Sequence, residues 1–190
     1  MAIEEHSAAS VDYLMIVNGE SEMLGGLMAL AAKRPNVRVL PRPNACYDGG
    51  TIGEVLRAHP ELLKGAYGYY VLMNSSVRGP FLPRYYPRAR PWTAALTGLL
   101  TAEVKLAGTT ISCQTQVHVQ SMVVATDNTG LEILLGAGAL DCPADMMDAI
   151  RRYELGATAA ILDAGCVRTF YVEGRERERE KEKTASSRVI

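Results

Sequence analysis

The sequence has no excess of charge of either sign, and this absence narrows the class of partner. Twenty basic residues stand against twenty-one acidic ones, so the formal net charge over 190 residues is −1. A field this weak gives no reason to expect nucleic acid or an anionic membrane as the partner of the whole molecule. The phosphate-loop pattern G-x-x-x-x-G-K-S/T and the dinucleotide pattern G-x-G-x-x-G are also absent, which argues against the common nucleotide-binding loops.

Apolar stretches long enough to cross a membrane are absent as well. The opening residues, MAIEEHSAASVDY, include acidic side chains and lack the apolar block of a secretory signal. We expect a soluble chain without a transmembrane segment. No targeting pattern decides between a cytoplasmic and a Golgi-associated location.

Paired cysteine motifs are missing too. The four cysteines lie far apart and form no C-x-x-C pair; they are Cys46, Cys113, Cys142 and Cys166. This spacing argues against a zinc site and against a disulfide scaffold. Buried or idle thiols are therefore expected.

The sequence does have enough apolar residues, 48%, to fill one core. We expect a single domain over residues 11–172. The remaining segment, residues 173–190, alternates charge signs and offers almost nothing to bury. It is expected to form an exposed tail, either disordered or helical through neighbouring opposite charges.

Apolar runs alternate with helical patterns along this domain, which predicts an α/β fold. Residues 13–17 (YLMIV) form a continuous apolar run closed by Asn18-Gly19, as is typical of a strand buried on both faces of a parallel sheet. Further strands are predicted at 37–40, 69–73, 104–107, 120–125 and 167–172, and helices at 23–33, 51–59, 92–100, 126–135, 143–152 and 154–164.

Loop 42–50 (RPNACYDGG) is the first of two loops with groups suited to a ligand. It ends in paired glycines before a helix expected to start near Thr51, where Thr51 and Glu54 have the spacing of a capping box. Backbone amides at such a helix start can receive a phosphate or a sugar hydroxyl. The alternative is a tight turn followed by a simple cap.

The strand at 69–73 leads into the second loop, which opens with Asn74, Ser75 and Ser76. Short polar groups at the carboxyl end of a buried strand lie where open α/β sheets usually bind ligands. The alternative is a plain strand exit in which these side chains bond local backbone groups.

Four segments follow one another along the chain: NACYDGG (44–50), NSSVRGP (74–80), HVQS (118–121) and YELG (153–156). In order and approximate spacing they resemble the N-x-G-x-D-x-G, N-D/S-S-x-x-G-P, H-I-Q-S and Y-E-x-G segments of the GT-A-type glycosyltransferases related to bacterial rhamnan-synthesis proteins and their plant and algal relatives. The resemblance covers roughly residues 11–172. It implies a GT-A-like, Rossmann-like mixed sheet, mostly parallel and flanked by helices, with a nucleotide-sugar site at its strand ends.

The resemblance also implies roles for individual side chains. Binding of the nucleotide-sugar donor is expected of Asn44, Asp48, Gly49, Asn74, Ser75, Ser76 and Arg78. Binding of the acceptor is expected of Gln120, and Trp92 is a candidate because its ring can stack on a sugar face. Asp48 would hold a ribose or sugar hydroxyl through a charge-assisted hydrogen bond, or else make a local turn before the glycines.

Glu154 and His118 are the candidate catalytic residues. Glu154 lies where inverting enzymes of this type carry the acid that deprotonates the acceptor, although a carboxylate at a helix start also stabilises the helix without catalysis. His118 can bind the acceptor or a phosphate, since an unperturbed imidazole titrates near neutrality. A hydrogen-bonded structural histidine is the alternative.

One feature common in GT-A enzymes is missing, because the sequence contains no Asp-x-Asp to hold Mn²⁺ or Mg²⁺. Neutral Asn and Ser oxygens are poorer ligands for these ions, so no metal ligand is assigned and either ion is only an option. Without a metal, cations must neutralise the leaving diphosphate. Arginines suit this role because guanidinium groups bind phosphate oxygens in pairs, and four follow the Asn-Ser-Ser turn: Arg78, Arg84, Arg88 and Arg90.

The sequence thus favours a glycosyltransferase that moves a sugar from a nucleotide diphosphate donor to a glycan or related acceptor, with inversion. The alternative is a GT-A-like module that binds a glycan or a partner chain without turnover.

Overall fold

Strands and helices alternate through residues 11–63, 65–82, 84–87 and 89–170, which the computed structural model of the chain describes. The protein is therefore mixed α/β, as the alternation in the sequence predicts. The strands are β1 (Tyr13–Asn18), β2 (Val37–Arg42), β3 (Tyr69–Met73), β4 (Val104–Gly108), β5 (Ile111–Ser112), β6 (His118–Val119), β7 (Val123–Asp127) and β8 (Val167–Phe170). The α-helices are α1 (Leu24–Ala31), α2 (Tyr47–Ala58), α3 (Ala94–Thr97), α4 (Asn128–Gly136), α5 (Met146–Ala149) and α6 (Gly156–Asp163).

Two further helical segments complete the order, a 3₁₀ turn at Pro60–Leu62 and a π-helical stretch at Ile150–Leu155 that joins α5 to α6. The predicted tail, residues 173–190, lies outside the described residues, as do the last two residues of the predicted domain.

The strands form small sheets rather than one mostly parallel sheet. β1 pairs with β2 in parallel, and a separate four-stranded sheet has the order β3-β7-β4-β8. Within it β7 runs antiparallel to both neighbours, whereas β4 and β8 are parallel. The reversal of β7 has a simple cause: residues 109–122, which lead to it from β4, contain only the β5–β6 hairpin and no crossover helix.

Because β7 alone is reversed, β3, β4 and β8 point in one direction and their carboxyl ends share one edge. Both faces of this sheet are covered. Leu106 and Val124 face a cluster that includes Leu134 of α4 and Ile161 of α6, whereas Ala107 and Ala125 face the cluster around α3. Because side chains cover both faces of this sheet, the polar residues at its carboxyl edge are the part of the sheet that a ligand can reach.

Helix α2 begins at Tyr47, well before the predicted start at Thr51. Cys46 and Tyr47 both have positive φ, 68° and 50°, and turn the chain directly into the helix. Thr51 is therefore inside the helix and donates its hydroxyl to the Ala45 carbonyl at 2.9 Å, while Glu54 pairs with an arginine of β2. The predicted capping box is wrong, because the glycines expected to form a turn are helical.

The glycines of α2 allow another part of the chain to approach the helix backbone. A Cβ atom placed on Gly49 would lie 2.4 Å from Cγ of Tyr153, and one on Gly53 would lie 1.9 Å from the Leu140 carbonyl oxygen. Gly50 is equally crowded, with Pro143 at 2.8 Å. The segment 140–153 thus packs on α2 at a distance that side chains of any size would prevent.

A disulfide joins Cys46 to Cys142, with the Cα atoms 4.6 Å apart and a sequence separation of 96. The expectation of four unpaired thiols is therefore wrong for this pair. The sequence spacing carries no sign of it, since the two residues meet only because Gly50 admits the chain around Cys142. Cys113 and Cys166 are free, as expected.

The first prediction concerns this close packing. Gly53→Ala should lower the free energy of unfolding by about 1–3 kcal/mol, because the added methyl group meets the Leu140 carbonyl. Gly26→Ala is the matched control in α1, where nothing lies within 4 Å of the new atom. It should raise the stability by about 0.5–1 kcal/mol through helix propensity. Urea unfolding measures both, and an equal gain for the two variants would contradict the packing.

Candidate functional site

The four sequence segments that predict a site lie next to one another, joined in a ring by contacts of their own residues and of residues one or two positions beyond them. Asn74 Nδ2, of the second segment, donates to Asp48 Oδ2, of the first, at 2.9 Å. The backbone N–H of Asn74 donates to the carbonyl of Met122, the residue directly after the third segment, at 3.1 Å. All of these residues lie at the carboxyl edge shared by β3 and β4.

The ring closes through the fourth segment. Val119, in the third segment, donates its amide to Oγ1 of Thr158, two residues beyond the fourth, at 3.0 Å. Tyr153, which opens the fourth segment, packs on Gly49 of the first. Stretches that are separated by up to about a hundred positions in the sequence are therefore neighbours in space.

The side chain of Asn74 is held by hydrogen bonds to both its nitrogen and its oxygen. Its Oδ1 accepts from the Ser76 amide at 3.1 Å and also from the Ser76 hydroxyl. Since a backbone N–H can only donate, this contact fixes the oxygen toward Ser76 and the amide nitrogen toward Asp48. The Asn-Ser-Ser turn thus does make local bonds, and it also joins the two predicted donor-binding loops.

This arrangement does not fit a divalent cation bound between Asp48 and Asn74. Mg²⁺ and Mn²⁺ need several oxygen ligands that converge on one point. Asn74 directs an N–H group, not an oxygen, toward the Asp48 carboxylate, and its own oxygen is occupied by Ser76. These two side chains are therefore suited to bind a polar ligand directly rather than through a metal ion.

Asn18 and Thr51 support the first loop, and neither is among the site residues predicted from the sequence. Asn18 Nδ2 donates to Thr51 Oγ1 at 2.8 Å, and this hydroxyl donates to the Ala45 carbonyl. The Cβ atom of Asn44 lies 3.0 Å from the Cβ position of Gly19, whose φ is +73°. The sequence pattern that could have pointed to Asn18 is Asn18-Gly19 at the end of the first strand. By itself this pattern predicts only where the strand ends.

A cavity of about 610 Å³ lies between β1 and β3, the facing edges of the two sheets. Apolar side chains of both strands line its middle, and helix α2 lines one side. Its carboxyl end is polar, with Asn18, Glu20, Ser21, Asp48, Asn74 and Ser75. Asp48, Asn74 and Ser75 are all predicted to bind the donor, and the structure brings these three together at one cavity.

The charge at this end of the cavity is negative. Glu20 and Asp48 are carboxylates, and among the described lining residues the cation is Arg38, opposite Leu14 near the start of β1. Asp12 and Tyr67, which share a 2.6 Å hydrogen bond, line that same distant end. Hydroxyl groups suit the carboxyl end better than phosphates do.

The remaining donor residues and the acceptor residues have other positions. Arg78 and Ser76 are exposed beyond the cavity, and Gly49 is buried under Tyr153. The backbone N–H of Gln120 donates to the Thr110 carbonyl, and Trp92 Nε1 donates to the Tyr13 hydroxyl at 3.3 Å. None of these five is among the residues that line the cavity, and Arg88 lies outside the described residues.

His118 and Glu154 also do not line the cavity. His118 is buried, and its Nδ1 lies 2.9 Å from the Gln116 carbonyl. Because a carbonyl only accepts, Nδ1 carries a proton and donates it to this contact. Glu154 is exposed on the π-helical stretch, which contacts β6. Their catalytic roles remain predictions.

Tyr153 lies at the centre of the ring. Its side chain is 7% exposed, and its hydroxyl has no hydrogen-bond partner among the described residues. Burial, assisted by the charge of Asp48, raises the pKa of this hydroxyl far above its usual range, so the group stays neutral. The hydroxyl is thus a buried donor near the Asp48 carboxylate, on a residue that does not line the cavity.

Comparison with protein-family models, with curated proteins and with solved structures gave no match to this chain. Among the described residues, no helix is both long and apolar enough to cross a bilayer.

The second prediction tests the state of the Tyr153 hydroxyl. Tyr153→Phe should leave the stability unchanged or raise it by about 1 kcal/mol, because it removes a buried donor without a partner. The control is Tyr70→Phe, which removes a hydroxyl bonded to the Leu62 carbonyl at 2.9 Å and should cost about 1 kcal/mol. Chemical denaturation compares the two. A loss at Tyr153 as large as that at Tyr70 would mean that the first hydroxyl is bonded.

Proposed function

We propose that the protein is a glycosyltransferase with a GT-A-like fold that binds a nucleotide-sugar donor at the carboxyl end of the cavity between β1 and β3. The observation that carries the proposal is the ring of contacts among the four motif segments. A shared donor site also accounts for the position of Asp48, Asn74 and Ser75 around one cavity.

The polar groups at the carboxyl end are of the kind that binds sugar or ribose hydroxyls. Asp48 accepts from hydroxyl donors, and a charged acceptor makes the stronger hydrogen bond. Ser75 and Asn18 add neutral groups on either side, and Asn18 Oδ1 is buried without a partner among the described residues. The apolar middle of the cavity supplies area for a base or a sugar face.

Transfer also requires a base for the acceptor hydroxyl and a cation for the leaving diphosphate. For the base we propose Glu154, which is exposed, with the buried His118 as the second candidate; both lie outside the lining of the cavity, so the acceptor would approach from beyond it. For the cation we propose Arg78, which follows the Asn74 turn directly. In this mechanism Asp48 and Asn74 orient the sugar, and no covalent intermediate is formed because the reaction inverts the anomeric centre.

A second function has an observation of its own in its favour. The carboxyl end of the cavity has two carboxylates and no described cation, whereas a diphosphate needs positive charge. A noncatalytic module that binds the hydroxyl groups of a glycan needs no positive charge at this end. The two functions differ in their response to a nucleoside diphosphate.

The third prediction separates them. Uridine and guanosine diphosphates should raise the melting temperature if the protein binds a nucleotide-sugar donor, since a ligand selective for the folded state stabilises it. Labelled nucleotide sugars, incubated with and without Mn²⁺, should then give transfer or slow hydrolysis. Stabilisation by oligosaccharides alone identifies the binding module. Indifference to both ligand classes contradicts both functions.

Asp48→Asn gives the residue-level test. It keeps the size of the side chain and removes the charge, so donor or glycan affinity should fall about 10- to 100-fold, the effect of losing a hydrogen bond to a charged group. Asp163→Asn is the matched control, because Asp163 is an exposed carboxylate at the end of α6, just before β8 begins at the opposite edge of the sheet. Equal affinities for the two variants would remove Asp48 from the site.

A further inference from the structure

The disulfide lies beside a third group that can bind a metal ion. The sulfur atoms of Cys46 and Cys142 and a carboxylate oxygen of Glu54 all lie within 4.8 Å of one another. Cys46 is buried, Cys142 is exposed, and the side chain of Glu54 is 42% exposed. Two sulfurs and one carboxylate oxygen form a donor set that suits zinc once the sulfurs are thiolates.

The fold explains how these three residues meet. Gly50 and Glu54 lie four positions apart and therefore share one face of α2, and Cys46 is the residue directly before the amino end of this helix. Side chains on a helix lean toward its N-terminus, so Glu54 reaches back toward Cys46. Gly50, between them, has no side chain, and a Cβ atom there would lie 2.9 Å from Cα of Cys142.

We propose that reduction of the Cys46–Cys142 disulfide converts this cluster into a binding site for a thiophilic divalent cation of the Zn²⁺ type, with Cys46, Cys142 and Glu54 as ligands. The cluster then has two stable forms, a disulfide under oxidising conditions and a metal site under reducing ones. This proposal does not depend on the proposed glycosyltransferase function.

The chemical steps balance. A dithiol reductant transfers two electrons and two protons to the disulfide; the sulfur–sulfur bond breaks, and the reductant becomes a disulfide. The cation then displaces a proton from each thiol to solvent and binds the two thiolates.

Charge is compensated in the metal-bound form. Two thiolates and one carboxylate carry three negative charges, of which the cation balances two. Arg42, whose guanidinium already pairs with Glu54, balances the third and holds the carboxylate in place, as outer partners of metal ligands usually do. The amino end of α2, at Cys46, adds partial positive charge next to the thiolates.

The geometry changes chiefly at the sulfur atoms. In a tetrahedral site with zinc–sulfur bonds of about 2.3 Å, two sulfurs lie about 3.8 Å apart. The sulfurs of Cys46 and Cys142, which are bonded to each other in the disulfide, must therefore move apart to this distance after reduction, and the Glu54 oxygen already lies within 4.8 Å of both. Solvent reaches the cluster on the exposed side of Cys142, so water supplies the fourth ligand. Thiolates select zinc or cobalt over magnesium and calcium.

The fourth prediction uses Co²⁺ as a spectroscopic probe on the full chain. After reduction with a phosphine and removal of the reductant without oxygen, Co²⁺ should bind one ion per chain with sulfur-to-cobalt charge-transfer absorption, and Zn²⁺ should displace it. Zn²⁺ should also raise the melting temperature of the reduced protein and leave that of the oxidised protein unchanged.

Variants assign the ligands. Cys142→Ser should abolish the charge-transfer absorption, and Cys113→Ser combined with Cys166→Ser should preserve it. Glu54→Gln leaves the disulfide able to form, so its fold can be verified in the oxidised state; after reduction its Zn²⁺ affinity should fall at least about tenfold. The proposal is overturned if the reduced protein shows no charge transfer, if the oxidised protein binds Co²⁺ equally well, or if the Cys113 and Cys166 variant loses the signal.

Discussion

The structure depends on the close approach of segment 140–153 to helix α2. Three glycines within five residues lower helix propensity by about 0.5–1 kcal/mol each relative to alanine, so the helix is a poor one by itself. Burial of Leu140 and Tyr153 against the bare backbone offsets that cost. The same contact brings Cys142 to Cys46 and sets Tyr153 next to Asp48, so the disulfide and the candidate site both follow from it.

The sequence predicts the elements that depend on local pattern and misses those that depend on distant contacts. Continuous apolar runs locate β1 and β3 to within a residue. The start of α2 is missed because Gly49 and Gly50 have the same local preference for a turn as for a crowded helix face, and only Tyr153 and Pro143 decide between them. The antiparallel direction of β7 and the pairing of Cys46 with Cys142 likewise depend on contacts between distant parts of the chain.

The residues of the candidate site likewise fall into those that the sequence predicts and those that only the structure reveals. Asn74 can be selected from the sequence because it directly follows a buried strand, and Asp48 because it lies in the segment 44–50 that resembles a family motif. Asn18 and the hydroxyl of Tyr153 cannot, since what distinguishes them is a buried polar atom without a partner among the described residues. The charge distribution of the cavity is a sum over β1, β2 and α2, and no single motif contains it.

The cavity lies between two sheets that no described backbone ladder joins. Strand β7 is bonded on both sides, whereas β1 has a ladder to β2 alone. The side-chain hydrogen bonds at the two ends of the cavity run from Tyr67 to Asp12, directly before β1, and from Asn74 to Asp48 of α2. Separation of the two sheets at the cavity would therefore break side-chain hydrogen bonds and apolar contacts but no described backbone ladder.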